Sequence, residues 1–173
     1  RRTLKVASAG AAALLLVVGG GTVAWGAYQE RIAEQEAAEA LAAAQAEYDA
    51  WDNEVQDVWP LFVEMDYLVN SGISYREHDD LVREITREMS RVDVDGSTAE
   101  EIVARMELVL DHYAEANQDW NAYIYDDGDK DDKQVHWLMA AGGWSALEEE
   151  VDGWEAALDA GELPDITVVD RSA

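Results

Sequence analysis

Apolar residues recur at every third and fourth position over most of this chain, after an opening in which a long stretch carries no charge. The uncharged run covers Val6 to Tyr28. Further on, Leu41, Tyr48, Val55, Phe62 and Val69 repeat at sevens, interleaved by Ala37, Ala44, Trp51, Val58 and Met65. A seam of this kind is what one helix offers to neighbouring helices. It predicts a single helix from the uncharged run to about Asn70. Pro60 falls inside it, and proline removes a backbone donor and crowds the preceding turn, so a kink or restart is expected near Trp59.

Ser71-Gly72 supplies the stop for that helix. The next run, Tyr75 to about Val92, is expected to bury Leu81, Val82, Ile85, Met89 and Val92. Its outer face would carry the pairs Asp80–Arg83, Glu84–Arg87 and Glu88–Arg91. Asp93-Val94-Asp95-Gly96 reads as a turn, and Ser97 followed by Glu100 has the spacing of a capping box opening a third helix. The third seam is Ile102, Met106, Val109, Tyr113, Ala116, Trp120 and Tyr123. After an acidic loop from Asp126 to Asp132, a fourth helix carries Trp137, Trp144, Val151 and Leu158 at sevens, with Ala140, Leu147 and Trp154 between them. Gly142-Gly143 weakens it unless a neighbour uses the missing side chains for close approach. Only two prolines occur, Pro60 and Pro164, and no segment alternates long enough for a strand. The fold class expected is all-α, with an N-terminal transmembrane helix continuing into an antiparallel bundle of about four helices.

Charge turns the uncharged run into a membrane element. Arg1, Arg2 and Lys5 precede it, while all 38 Asp and Glu of a chain of net charge −26 follow it. As a helix, residues 6–28 reach about 35 Å, enough to cross a hydrocarbon core of about 30 Å. Cations stay on the cytoplasmic side, which places the acidic remainder outside the cell membrane. The expected organisation is a cytoplasmic flank at 1–5, a transmembrane anchor at 6–28, a helical stalk at 29–46, an acidic helical bundle at 47–160 and an extended tail at 161–173. A cleaved signal peptide is the alternative for the first segment, with Ala24-Trp25-Gly26 as a poor cleavage site. Trp25 and Tyr28 favour retention, because they stand where interfacial aromatic residues belong. The opening arginine pair partly matches a twin-arginine export signal, but Lys5 interrupts the expected apolar pair. Small residues spaced through the run permit close packing against a second membrane helix.

The chemistry available to the acidic part is thin. With no cysteine, disulfides, thiolate nucleophiles and zinc–thiolate sites are excluded. His78, His112 and His136 show no helical metal spacing with one another. The Glu-x-x-His pattern is missing too, since Tyr75, Val109 and Lys133 stand three residues before them. All three are expected as surface or satisfied polar residues. Asp93 to Ser97 imitates part of a calcium loop, yet aligning on Gly96 puts Arg91 first and Ile102 last, where acids are required. Asp126 to Asp132 and Glu148-Glu149-Glu150 read as solvated acids. The seven tryptophans raise glycan stacking as an alternative, with Trp51 and Trp59 open to either reading; burial accounts for Trp120, Trp137, Trp144 and Trp154. Nucleic acid is opposed by the charge. No triad, phosphate loop or oxyanion motif assembles, so no catalytic, cofactor-binding or metal-ligating residue is assigned.

The stretch Leu68-Val69-Asn70-Ser71-Gly72-Ile73-Ser74-Tyr75, continued by Arg76-Glu77-His78, resembles a signature of uncharacterised membrane-anchored helical envelope proteins of bacteria. The likeness covers about Trp59 to Leu158 and includes a later helix with Tyr and Trp spaced as Tyr113 and Trp120 are. His78 departs from the aromatic residue expected there. The resemblance implies fold and location and no activity. The resulting expectation is a non-enzymatic, single-pass membrane protein presenting an acidic helical domain, an accessory or structural subunit of an envelope complex. Its expected partners are the membrane and other envelope subunits. An extracytoplasmic module binding a cation or cell-wall glycan is the alternative.

Overall fold

The computed structural model describes residues 21–125 and 130–164. They form five helices, α1 (Gly21–Val55), α2 (Trp59–Ser71), α3 (Tyr75–Met89), α4 (Ser97–Tyr125) and α5 (Lys130–Asp159), with no strand among the described residues. The expected cytoplasmic flank, most of the anchor (6–20), the tip of the acidic loop (126–129) and most of the tail (165–173) lie outside the described residues. No helix among the described residues is long and apolar enough to cross a membrane. The chain divides into two compact units, one ending at Ala38 and the other beginning at Glu39. In the first, α1 is exposed at every position from Tyr28 to Ala38 except Ile32, as its lack of bulky apolar residues requires.

The second unit holds the core. Trp51, Val55, Val58, Phe62 and Met65 are all buried, so the heptad seam continues across the break between α1 and α2. The restart occurs at Trp59, and Pro60 occupies the first turn of α2, where a missing N–H costs nothing because no intrahelical acceptor is available. Gly72 follows α2 with φ at +101°, and its N–H donates to the Leu68 carbonyl at 2.9 Å. Ser74 then caps α3 reciprocally. The Glu77 N–H donates to the Ser74 hydroxyl at 3.3 Å, while the Ser74 N–H donates to Glu77 Oε2 at 3.0 Å. Of the surface pairs expected on α3, Glu84–Arg87 and Glu88–Arg91 form, but Arg83 reaches Asp79 at 2.6 Å instead of Asp80. The exchange replaces an i,i+3 spacing by i,i+4, and both spacings bring two side chains together on a helix surface.

The start of α4 differs from expectation. The helix begins one residue earlier than a Ser97 cap requires, with the Glu100 N–H donating to the Gly96 carbonyl at 3.0 Å. Gly96 has no side chain to offer. The Thr98 and Ala99 N–H groups donate instead to Glu47 Oε1 of α1, at 2.7 and 2.9 Å. A Cβ on Gly96 would run into that carboxylate, and the residue's φ of +124° disfavours a side chain in any case.

α4 and α5 form the hairpin at the centre of the unit. Tyr113, Met106 and Ile102 face inward from one helix, Trp144, Leu147 and Trp154 from the other. Close approach is made at Gly143, where a Cβ would lie 3.1 Å from Val109 Cγ2; Gly142 faces open space. Only one of the two glycines therefore serves packing. Aromatic rings tie the layers together. Trp144 stacks on Phe62 of α2 at 5.1 Å and meets Trp59 at 4.6 Å, while Trp154 meets Tyr48 of α1 edge-on at 5.0 Å.

Candidate functional site

Three features could carry function: a buried histidine centre, a histidine–carboxylate cluster, and a groove between α4 and α5. The first begins with His78, on the inner face of α3 one turn from Leu81 and Val82. Its side chain is fully buried. The rings of Trp137, Trp120 and Tyr113 surround it, with centroids 5.7, 6.0 and 6.1 Å away.

The indole of Trp137 can only donate, and its Nε1 lies 3.1 Å from His78 Nε2, which makes Nε2 an acceptor and puts the proton on Nδ1. Nδ1–H then donates to Asn117 Oδ1 at 3.3 Å, and the Asn117 amide donates to Asp79 Oδ1 at 2.8 Å. Arg83 closes the chain on the other Asp79 oxygen. Burial lowers the pKa of His78, opposed in part by the Asn117 hydrogen bond and the Asp79 charge. The imidazole is neutral, and its donor and acceptor are both used. It is a satisfied core residue that fixes how α3, α4 and α5 meet.

The second feature is one that helical spacing within the sequence does not reveal. His112 and Glu115 stand one turn apart on α4, and the hairpin brings His136 of α5 to them. His136 Nδ1 is 2.9 Å and His112 Nδ1 3.3 Å from the same oxygen, Glu115 Oε2. On its far side His136 places Nε2 3.4 Å from Asp119 Oδ2. The two imidazoles lie 6.0 Å apart by ring centroid. His136 Nδ1 is buried and, despite the short distance to Glu115, the carboxylate oxygen lies off the hydrogen-bonding direction. These histidines were expected as surface or satisfied polar residues without metal spacing to one another; packing makes them a cluster. The run Glu148 to Glu150 also departs from a solvated face. Glu150 pairs with Arg105 across the hairpin, and burial raises the carboxyl pKa values of both Glu148 and Glu150.

The third feature is a groove of about 830 Å³ between α4 and α5, with Leu108, Val109, Met139 and Leu147 among its walls and His112 at its edge. Leu108 and Met139 are exposed, as are Val135 and Leu138 on α5. Val135, Leu138 and Met139 fall at i, i+3 and i+4, so they form one stripe.

The remaining sequence candidates sort simply. Asp93 to Gly96 is an irregular link between α3 and α4 that bends at Gly96, without the hydrogen-bonded turn expected there. Lys130 to Asp132, at the end of the acidic loop, belong to the first turn of α5. Trp51 is buried and has no face for a sugar. Trp59, half-buried, borders a smaller groove of about 300 Å³ with Tyr48, Asp152 and Glu155. There the Tyr48 phenol is pushed up to about 12, first by burial and then by Glu155, Asp52, Asp152 and Asp159. Comparison of the chain with protein-family models, curated proteins and solved structures yields no match.

Proposed function

We propose that this chain is a non-enzymatic interaction protein: a single-pass membrane protein, N-terminus cytoplasmic, that presents an acidic helical bundle outside the cell membrane as an accessory subunit of an envelope complex. The observation that carries the interaction is the apolar stripe of Val135, Leu138 and Met139 beside the α4–α5 groove, together with exposed Leu108. Large exposed apolar residues grouped around a concavity mark surfaces that bind other proteins. The orientation rests on the cations at Arg1, Arg2 and Lys5 ahead of the uncharged 6–28 run. The Gly72-Ile73-Ser74-Tyr75 resemblance agrees with an envelope location.

Two measurements test this reading. Reporter fusions at the C-terminus read the side of the membrane: a secreted phosphatase is active and a cytoplasmic fluorescent protein dark if the bundle lies outside. A photoreactive residue at Leu138, activated in native membranes, is expected to give a discrete adduct that Met139→Glu and Leu108→Glu abolish. A protein that is extracted in mild detergent alone and monomeric, and gives no adduct, refutes the interaction role.

A further inference from the structure

We propose that His112, Glu115 and His136 form a binding site for one divalent transition-metal ion of the zinc class. Among the described residues these are the one group of histidines and acids whose ligand atoms converge, all within 4.8 Å of one another. The separations fit an ion. Zinc–nitrogen and zinc–oxygen bonds of about 2.0–2.2 Å set tetrahedral ligand atoms about 3.3 Å apart, and Glu115 Oε2 stands 2.9 and 3.3 Å from the two imidazole Nδ1 atoms.

The surroundings of His136 fit the same reading. Its Nδ1 is buried and makes no hydrogen bond although a carboxylate oxygen is at 2.9 Å, and Asp119 Oδ2 stands 3.4 Å from its Nε2 on the far side. A cation lying off the line between Nδ1 and that oxygen is within reach of both. A metal ion answers both imidazoles and the carboxylate at once, and Asp119 becomes the outer carboxylate that orients a ligating histidine.

The donor set chooses the ion. Two imidazoles and one carboxylate suit zinc, nickel, cobalt or copper, while calcium and magnesium prefer oxygen alone. Glu115 is half exposed, leaving room for solvent to complete the coordination. The site differs from the acidic loop, which offers only oxygen.

Isothermal titration of the untagged full chain in detergent with zinc chloride, in excess magnesium, separates this site from diffuse attraction to an acidic protein. One saturable equivalent is expected. His112→Ala, His136→Ala and Glu115→Gln should each weaken it more than tenfold, and Asp119→Asn by roughly 10- to 100-fold, as for outer-shell partners generally. Glu84→Gln, on the exposed face of α3, should leave it unchanged. Cobalt provides a second readout through visible ligand-field bands lost in the same variants, with circular dichroism checking that Glu115→Gln remains folded. Absence of a saturable phase, its removal by magnesium, or its persistence in the His112→Ala/His136→Ala double variant overturns the site.

Discussion

Capping of α4 by a residue far away in sequence is a point at which local pattern and structure make opposite predictions. The pattern Ser97-x-x-Glu100 says that Ser97→Ala should cost the helix its cap, about 1 kcal/mol. In the structure Ser97 is already the first residue of α4, and the Thr98 and Ala99 N–H groups are held by Glu47 Oε1 at 2.7 and 2.9 Å. Glu47→Ala removes a charged acceptor from two donors at a helix start. Bonds to a charged group contribute about 1.5–3 kcal/mol each at most, and the lost attraction to the helix terminus about 0.3–1 kcal/mol. Water reaches part of this site, so a net loss of about 2 kcal/mol is expected after the N–H groups re-solvate. For a unit of this size that shifts the melting temperature by about 6–10 °C. Glu47→Gln keeps an acceptor without charge and should lose about half as much. Ser97→Ala should stay within about 0.5 kcal/mol. Gly96→Ala should resemble Glu47→Ala, since its side chain displaces the same carboxylate. Urea unfolding followed by circular dichroism measures all four. If Ser97→Ala proves as costly as Glu47→Ala, the long-range cap is wrong.

Two further predictions concern the core. Because burial depresses the pKa of His78, the unfolded chain binds its proton more readily, so stability should fall as pH drops below about 6.5, the ordinary histidine value. Glu148 and Glu150, with raised carboxyl pKa values, act oppositely at lower pH, confining the effect to the interval above their titration. His78→Phe should lose about 1–3 kcal/mol at neutral pH by orphaning the Trp137 N–H and the Asn117 carbonyl. It should nonetheless flatten the slope between about pH 7 and 5.5; an unchanged slope in urea melts contradicts the assignment. Trp144→Ala, which empties the space between Phe62 and Trp59, should cost about 3–5 kcal/mol. The half-buried Trp59→Ala should cost clearly less, and equal losses in the same melts would place the centre of the core elsewhere.

The helices were legible because their burial follows a period that survives interruption. Trp51, Val55, Val58, Phe62 and Met65 keep the heptad through the break at Pro60, and the third and fourth seams name most of the buried faces of α4 and α5, although Tyr123 is exposed, Trp120 and Trp137 are half-buried, and Ala99 and Leu110 are buried outside the seam. Pattern failed where a side chain answers a distant backbone. The capping box is formed by Ser74 and Glu77 at α3, beside the Gly-Ile-Ser-Tyr turn, while α4 takes its acceptor from α1. Both stretches have the same spacing of a hydroxyl and an acid. What separates them is the residue before the helix: Ser74 itself flanks α3, whereas Gly96 flanks α4 and moves Ser97 inside. Spacing alone does not register that shift of one.

The histidine cluster was hidden for a different reason, since scanning for ligands along one helix asks the wrong question of a hairpin. Residues about equally distant from the midpoint of the sequence between α4 and α5 face each other across the two helices. Asp119 meets His136, Arg105 meets Glu150 and Val109 meets Gly143. Folding the sequence about that midpoint puts His136 within one helical turn of Glu115, and Glu115 lies one turn from His112. The signal was therefore present, but as a sum of positions across a loop instead of a difference along a helix. The same fold-over explains why His78 could not be paired in advance. Its partners Asn117 and Trp137 come from α4 and α5, and the placement of α3 against that hairpin is set by packing around Ile85, Met89 and Tyr113. Local ligand pairs are thus recoverable once a hairpin is recognised, whereas a three-helix contact needs the tertiary register that only side-chain packing supplies.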